Sequence, residues 1–270
     1  KAGPGDDTIQ IPNNLAPGDK IDGEAGTDTI VFVHTGLATV PSTANLTSIE
    51  RLAISDTVHQ TLNFSALTSI TEIELDSGTT VNGGVITTTI GSGQSLTLDS
   101  ITDGDSGAAS LGDGGMTISQ PGSVNTLDLT LDDLGPSAAN TNENLFLDVA
   151  GTGVGTINLT TANDNFISMS NSGGAAATMN ITGPGILHLA GALPDNIRTI
   201  NGENSSANIT LTAGTSGTTV NTGTGNDTVT ITNGTNTINT RSGSNVFNAS
   251  NGVNNISMGD DSDNVTLTGG

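Results

Sequence analysis

Cut every nine places, residues 222–266 read TGTGNDTVT, ITNGTNTIN, TRSGSNVFN, ASNGVNNIS and MGDDSDNVT. Gly225, Gly234, Gly243 and Gly252 fall in one column, and Asp227, Asn236, Asn245, Asn254 and Asp263 in a second. Val229, Ile238, Phe247, Ile256 and Val265 fall in a third. Glycine lets the chain turn back through left-handed backbone without a Cβ clash. The Asp or Asn tolerates that turn and offers an oxygen to a neighbouring backbone or a metal. Two places on, the apolar residue faces inward, because alternate residues of a strand face opposite sides. One unit buries almost nothing, so like must stack on like. The phase runs backward through Val220, with Gly214 in the turn, and gives six units over residues 213–266. This periodicity predicts an all-β, right-handed, elongated parallel β-solenoid. In an 18-residue circuit Asp227, Asn245 and Asp263 overlay on one side, and Asn236 and Asn254 on the other. The Asn residues are expected to hydrogen-bond from rung to rung as amide ladders do.

The start of the chain repeats the theme with a longer step. Residues 2–9 (AGPGDDTI) and 23–30 (GEAGTDTI) both carry glycine turns followed by Asp, and Asp7 and Asp28 stand 21 residues apart. Overlaid on adjacent coils, they would bring Asp6, Asp19 and Asp22 nearby. Leu46, Ile49, Leu52 and Ile54 recur 21 residues later as Leu67, Ile70, Ile73 and Leu75. Here a short helical or 3₁₀ turn leading into a strand is expected. From Leu96 onward short alternating strands are bounded by Gly, Asn, Asp or Ser. Residues 102–115 and 133–144 are the expected loop excursions, and a β-sandwich over 90–200 is the competing architecture. Pro136, Pro184 and Pro194 are expected in turns. Three segments result: 1–90 with 21-residue rungs, 91–212 as a degenerate solenoid, and 213–270 as a nonapeptide roll.

Five Lys and Arg stand against 27 Asp and Glu, a formal net charge of −22. No basic stripe exists to replace phosphate counterions, which excludes nucleic acid as a partner. Self-repulsion of this size calls for screening or bound cations. The chain has no cysteine to form a disulfide and no apolar run long enough for membrane insertion. Lys1 and Gly270 read as cuts inside a repeating pattern, as in a mature or excised piece. His34, His59 and His188 lack the paired spacing of a transition-metal site, and His188 is expected to face outward between Leu187 and Leu189. With no Tyr and few cationic groups, the chain is expected not to be an enzyme.

The strings GPGDDTI, DGEAGTDTI, TSIERLAI, TSITEIEL and GTGNDTVTI resemble the calcium-binding RTX and surface-layer proteins of Gram-negative bacteria. The resemblance implies secretion, a parallel β-roll with calcium between its turns, and a role in surface lattices or adhesins. Departures are the loss of the second glycine at Thr232, Arg241 and Ser250, and Asn for Asp in three successive units. Calcium is expected at Asp6, Asp7, Asp19, Asp22 and Asp28, with Asp103, Asp105, Asp227, Asp261 and Asp263 as further ligands. The expected function is an extracellular, cell-surface structural protein whose main partners are copies of itself, with cell-surface polysaccharide second. The alternatives are a β-helical enzyme or adhesin module working on extracellular polysaccharide, and ice binding through outward threonines such as Thr228, Thr230 and Thr232.

Overall fold

A computed structural model describes residues 1–12, 15–16, 18–33, 46–55, 61–76, 80–81, 85–103, 115–122, 125–135 and 145–269. Among them there is no helix, and every strand pairing is parallel. Two long sheets enclose the core. The front sheet has twelve strands, from Thr8–Ile11 to Val253–Ser257, and the back sheet has ten, from Leu62–Asn63 to Asn264–Leu267. Neighbours in each sheet are successive passes of one winding chain, so the fold is an elongated β-solenoid. Parallel ladders throughout rule out the sandwich alternative.

Register gives the length of each circuit. Thr8 pairs with Thr29, Thr29 with Arg51, and Arg51 with Glu72, which bears out the 21-residue step to within one residue. Leu52 stands beside Ile73 and Ile54 beside Leu75. The circuits are longest where Leu96 pairs with Leu129 and Leu129 with Leu159. The two expected excursions fall within these circuits in sequence, and most of their residues, with Pro136, lie outside the described residues, as do His34 and His59. Toward the C-terminus Val220 pairs with Ile238 and Val229 with Phe247, an 18-residue circuit.

The core is one contiguous stack of aliphatics. Ile30, Leu52, Ile73, Leu96, Leu129 and Leu159 follow each other up the front sheet, each at most 2% exposed. Burying one such side chain fully is worth about 1.5–3 kcal/mol, so stability accumulates rung by rung. The expected helical turn at residues 46–54 is replaced by a two-residue strand, Leu46–Thr47, and a left-handed Ser48 (φ 49°). Ile49 is thereby delivered into the core without a helix.

Glycines in the repeat serve two separate purposes. Gly234, Gly243 and Gly252 take the left-handed turn at φ 96°, 103° and 94°. Gly225 does not; a Cβ there would strike the Ala207 carbonyl of the preceding circuit, so it is needed for close approach. Gly217 (φ 87°), rather than Gly214, carries the turn ahead of Val220.

One buried polar side chain fastens two turns. Gln94, 4% exposed, donates through Nε2 to the Phe64, Leu67 and Ile70 carbonyls at 3.2, 2.9 and 3.1 Å, and accepts from the Gly91 amide at 2.6 Å. Gln94→Leu is expected to cost about 2 kcal/mol in denaturant unfolding, because it strands these groups without partners.

Candidate functional site

The sixth-place residue sits one place ahead of a strand at Asp227, Asn245 and Asp263, and second in its strand at Asn236 and Asn254. The Ile209 amide donates to Asp227 Oδ1 at 2.8 Å, the Asp227 amide to Asn245 Oδ1 at 3.0 Å, and the Asn245 amide to Asp263 Oδ1 at 2.9 Å. On the other side the Thr218 amide donates to Asn236 Oδ1 at 2.8 Å, and Asn236 Nδ2 donates to Asn254 Oδ1 at 2.8 Å. At the N-terminus the Asp7 amide donates to Asp28 Oδ1 at 2.9 Å, and the Asp28 amide to Glu50 Oε2 at 2.9 Å. All of these side chains but Asn254, whose Oδ1 takes the Asn236 side-chain amide, thus bond a backbone donor that the turn would otherwise leave open. Only one oxygen is needed for this, which is why Asp and Asn interchange along the column.

The second side-chain atom separates the two residue types. Asn245 turns its Nδ2 back onto the Gly243 carbonyl at 2.9 Å. Asp227 and Asp28 occupy the same place after Gly225 and Gly26, but carry an acceptor where Asn carries a donor. Both are buried, at 1% and 0% exposure, and in both Oδ2 has no hydrogen-bond partner. At Asp28 the conflict is plain: a Cβ built on Gly23 would touch both the Ser48 carbonyl oxygen and Asp28 Oδ2. Gly23 is thus packed directly against two acceptors, one of them the unpartnered Asp28 Oδ2. A buried carboxylate oxygen left without a partner is costly, and a cation would relieve that cost.

At Asp227 burial pushes the carboxyl above its ordinary range. The Thr222 hydroxyl and the Ile209 amide oppose the shift, although the hydroxyl is not in hydrogen-bonding geometry. A raised folded-state pKa means that the native state binds more protons than the unfolded chain between the two values. Asp227 therefore stabilises the native state least once pH exceeds its folded pKa. In cation-free buffer this contribution is expected to fall as pH rises above the ordinary Asp value of 3.8, which urea unfolding at stepped pH would follow.

The remaining expected ligands do not converge. Asp6 accepts from the Thr27 amide at 2.7 Å, and Asp19 from the Ala16 amide at 2.7 Å. Asp22 accepts from the Glu24 amide at 3.2 Å and faces Lys1 Nζ at 3.3 Å. Asp261 accepts from the Gly243 amide at 2.8 Å. Asp103 lies on the short strand Thr102–Asp103 beside Val81, and Asp105 falls outside the described residues. Among the described residues no three acidic or imidazole side chains are gathered as a metal-binding group. His188 does face outward, tilted against Phe166 with ring centroids 5.9 Å apart, and burial lowers its pKa.

Two outward columns escaped the nine-residue reading. Asn158, Asn180, Asn201, Asn221 and Asn239 form a ladder on the front sheet, in which each Nδ2 donates to the preceding Oδ1 at 2.7–3.1 Å. Asn158 itself donates to Asp128 at 2.6 Å. Thr156, Thr178, Thr199, Thr219 and Thr237 form a second column beside it. The recurring Thr-aliphatic-Asn triplet was the signal. Closer to the N-terminus the same sheet carries acids. Asp99 pairs with Asp132, and burial first, then the charges of Asp132 and Asp76, raises the Asp99 carboxyl. The Leu-Asp endings at 75–76, 98–99 and 131–132 mark these positions.

Compared with protein-family models, curated proteins and solved structures, the chain matches none.

Proposed function

We propose that this protein is a calcium-assisted structural component of an extracellular surface layer or matrix, built by association of copies of itself. The observation that carries the reading is the pair of buried carboxylate oxygens, on Asp28 and Asp227, that lack a partner in a chain of net charge −22. Calcium takes six to eight oxygens, and extracellular modules bind it around 10⁻⁴–10⁻³ M. Such an ion would be held by Asp28 Oδ2 with the Ser48 carbonyl, and by Asp227 Oδ2 in its own turn. Its chemistry would be charge neutralisation between circuits, which makes folding depend on the cation level outside the cell. The chain's own contribution is the ladder of side-chain oxygens that holds each turn in register.

The likeness to RTX and surface-layer sequences, carried by the glycine-aspartate turns, supports the same reading. Sedimentation and circular dichroism across a calcium titration test it. Millimolar calcium is expected to stabilise the β-structure and produce larger species. A sharply monomeric protein, equally folded with and without calcium, would sink it.

A further inference from the structure

We infer that the Thr–Asn face of the front sheet is a lateral docking surface for a second copy of this chain, packed face to face about a two-fold axis. The inference rests on the self-assembly reading above and names its contact.

Charge is the first argument. From Thr156–Thr161 to Val253–Ser257, six adjacent strands of the front sheet contain one ionisable side chain, Glu203, and its carboxylate lies 2.7 Å from Arg241 Nη2. In a molecule of net charge −22, two copies can approach here without the repulsion that opposes contact through the acidic N-terminal circuits. Hydrogen bonding is the second. Each ladder amide is already bonded to the rung before it, so covering the asparagine column leaves its amides partnered, while the threonine hydroxyls beside it are free to bond their counterparts across the contact. Asn ladders of this kind line dry contacts between stacked sheets.

Shape is the third. The threonine and asparagine columns repeat the same side chain from rung to rung, so the face is level enough to meet its own image. The back sheet is also poor in charge, but its corresponding column runs through Phe166, His188, Thr210, Thr228 and Val246, and its register shifts between His188 and Ala192. On the front sheet the shift after Asn180 leaves the pairing of both columns intact, and the groove of about 330 Å³ beside it is lined by Asn180 and Asn201 of the ladder together with Thr182, Glu203 and Asn204.

Area sets the strength. Rungs about 4.8 Å apart and strands rising about 3.3 Å per residue give a patch of roughly 300 Å² per partner. A stable pair needs about 800 Å² per partner. A single contact is therefore weak, and becomes firm when an array repeats it.

The cysteine-free chain makes the test clean. In a two-fold contact a residue near the centre meets its own counterpart. Thr199→Cys puts a lone thiol there, and Thr210→Cys puts one at a similarly half-buried position on the back sheet. At high protein concentration under mild oxidant, Thr199→Cys is expected to form disulfide dimers about tenfold faster than Thr210→Cys. Adding Thr178→Glu and Thr219→Glu to Thr199→Cys is expected to return its rate to that of Thr210→Cys, with an unchanged circular dichroism spectrum. Equal rates for the two cysteine variants, faster coupling of Thr210→Cys, or no effect of the added glutamates would overturn the inference. Calcium-driven assembly that ignores Thr178→Glu and Thr219→Glu would overturn the face and leave self-assembly standing. A wild-type chain that never assembles, with coupling still selective for Thr199→Cys, would retire the surface-coat reading and support the face.

Discussion

Phe247→Ala is expected to cost about 3–5 kcal/mol, the toll of emptying a large, fully buried side chain. Phe247 stands between Val229 and Val265 in the back-sheet column, and it is the largest residue of that column. In a stacked fold each circuit contacts its neighbours almost exclusively, so the damage should be local. Hydrogen exchange is expected to lose protection over residues 210–267 while residues 126–200 keep theirs. A uniform loss along the whole chain would mean that the solenoid behaves as one cooperative block, contrary to the rung-by-rung account of its stability.

Asp227→Asn has the opposite sign. It replaces a buried acceptor that has no partner with a donor, in the position where Asn245 already bonds the Gly243 carbonyl. In calcium-free buffer the variant is expected to gain about 1–3 kcal/mol, the usual cost of one unsatisfied buried polar group. It should also lose the pH dependence that Asp227 contributes. In millimolar calcium the order is expected to reverse, because the wild-type carboxylate then has an ion to pair with. Thermal unfolding of both proteins, with chelator and with calcium, reads out the crossing. A variant less stable under both conditions would show that Asp227 is satisfied as it stands.

The C-terminal roll was legible because each column there has one structural duty and circuits hold a constant 18 residues. Val229 beside Phe247, and Asp227 in line with Asn245 and Asp263, follow directly from counting. The 21-residue step at the N-terminus was readable for the same reason. The middle was harder: Leu96, Leu129 and Leu159 pair in turn but stand at unequal and longer intervals, so period counting cannot align their strands.

Counting by nines also hid the front-face columns. A step of nine moves from one sheet to the other, so counting sets Thr237 and Asn239, which lie across the core, beside Thr228 and Thr230. Their true neighbours are Val246 and Asn248. The unbroken threonine column, Thr156 to Thr237 beside the asparagine ladder, belongs to the front sheet, whereas Thr228 and Thr230 lie on the back sheet. Burial was the other unreadable quantity. The sequence offers ten acids as ligands, five of them near the N-terminus, but among the described residues only Asp28 and Asp227 combine near-complete burial with an oxygen that nothing else bonds. That difference comes from the circuits packed on either side of each turn, which no local motif records.

Equilibrium dialysis against millimolar calcium, on the wild-type chain and on Asp28→Asn and Asp227→Asn separately, puts the central claim to its most direct test. Each substitution is expected to remove one bound ion while leaving the β-structure intact. Wild-type protein that binds no calcium, or variants that bind as much as the wild type, would contradict it.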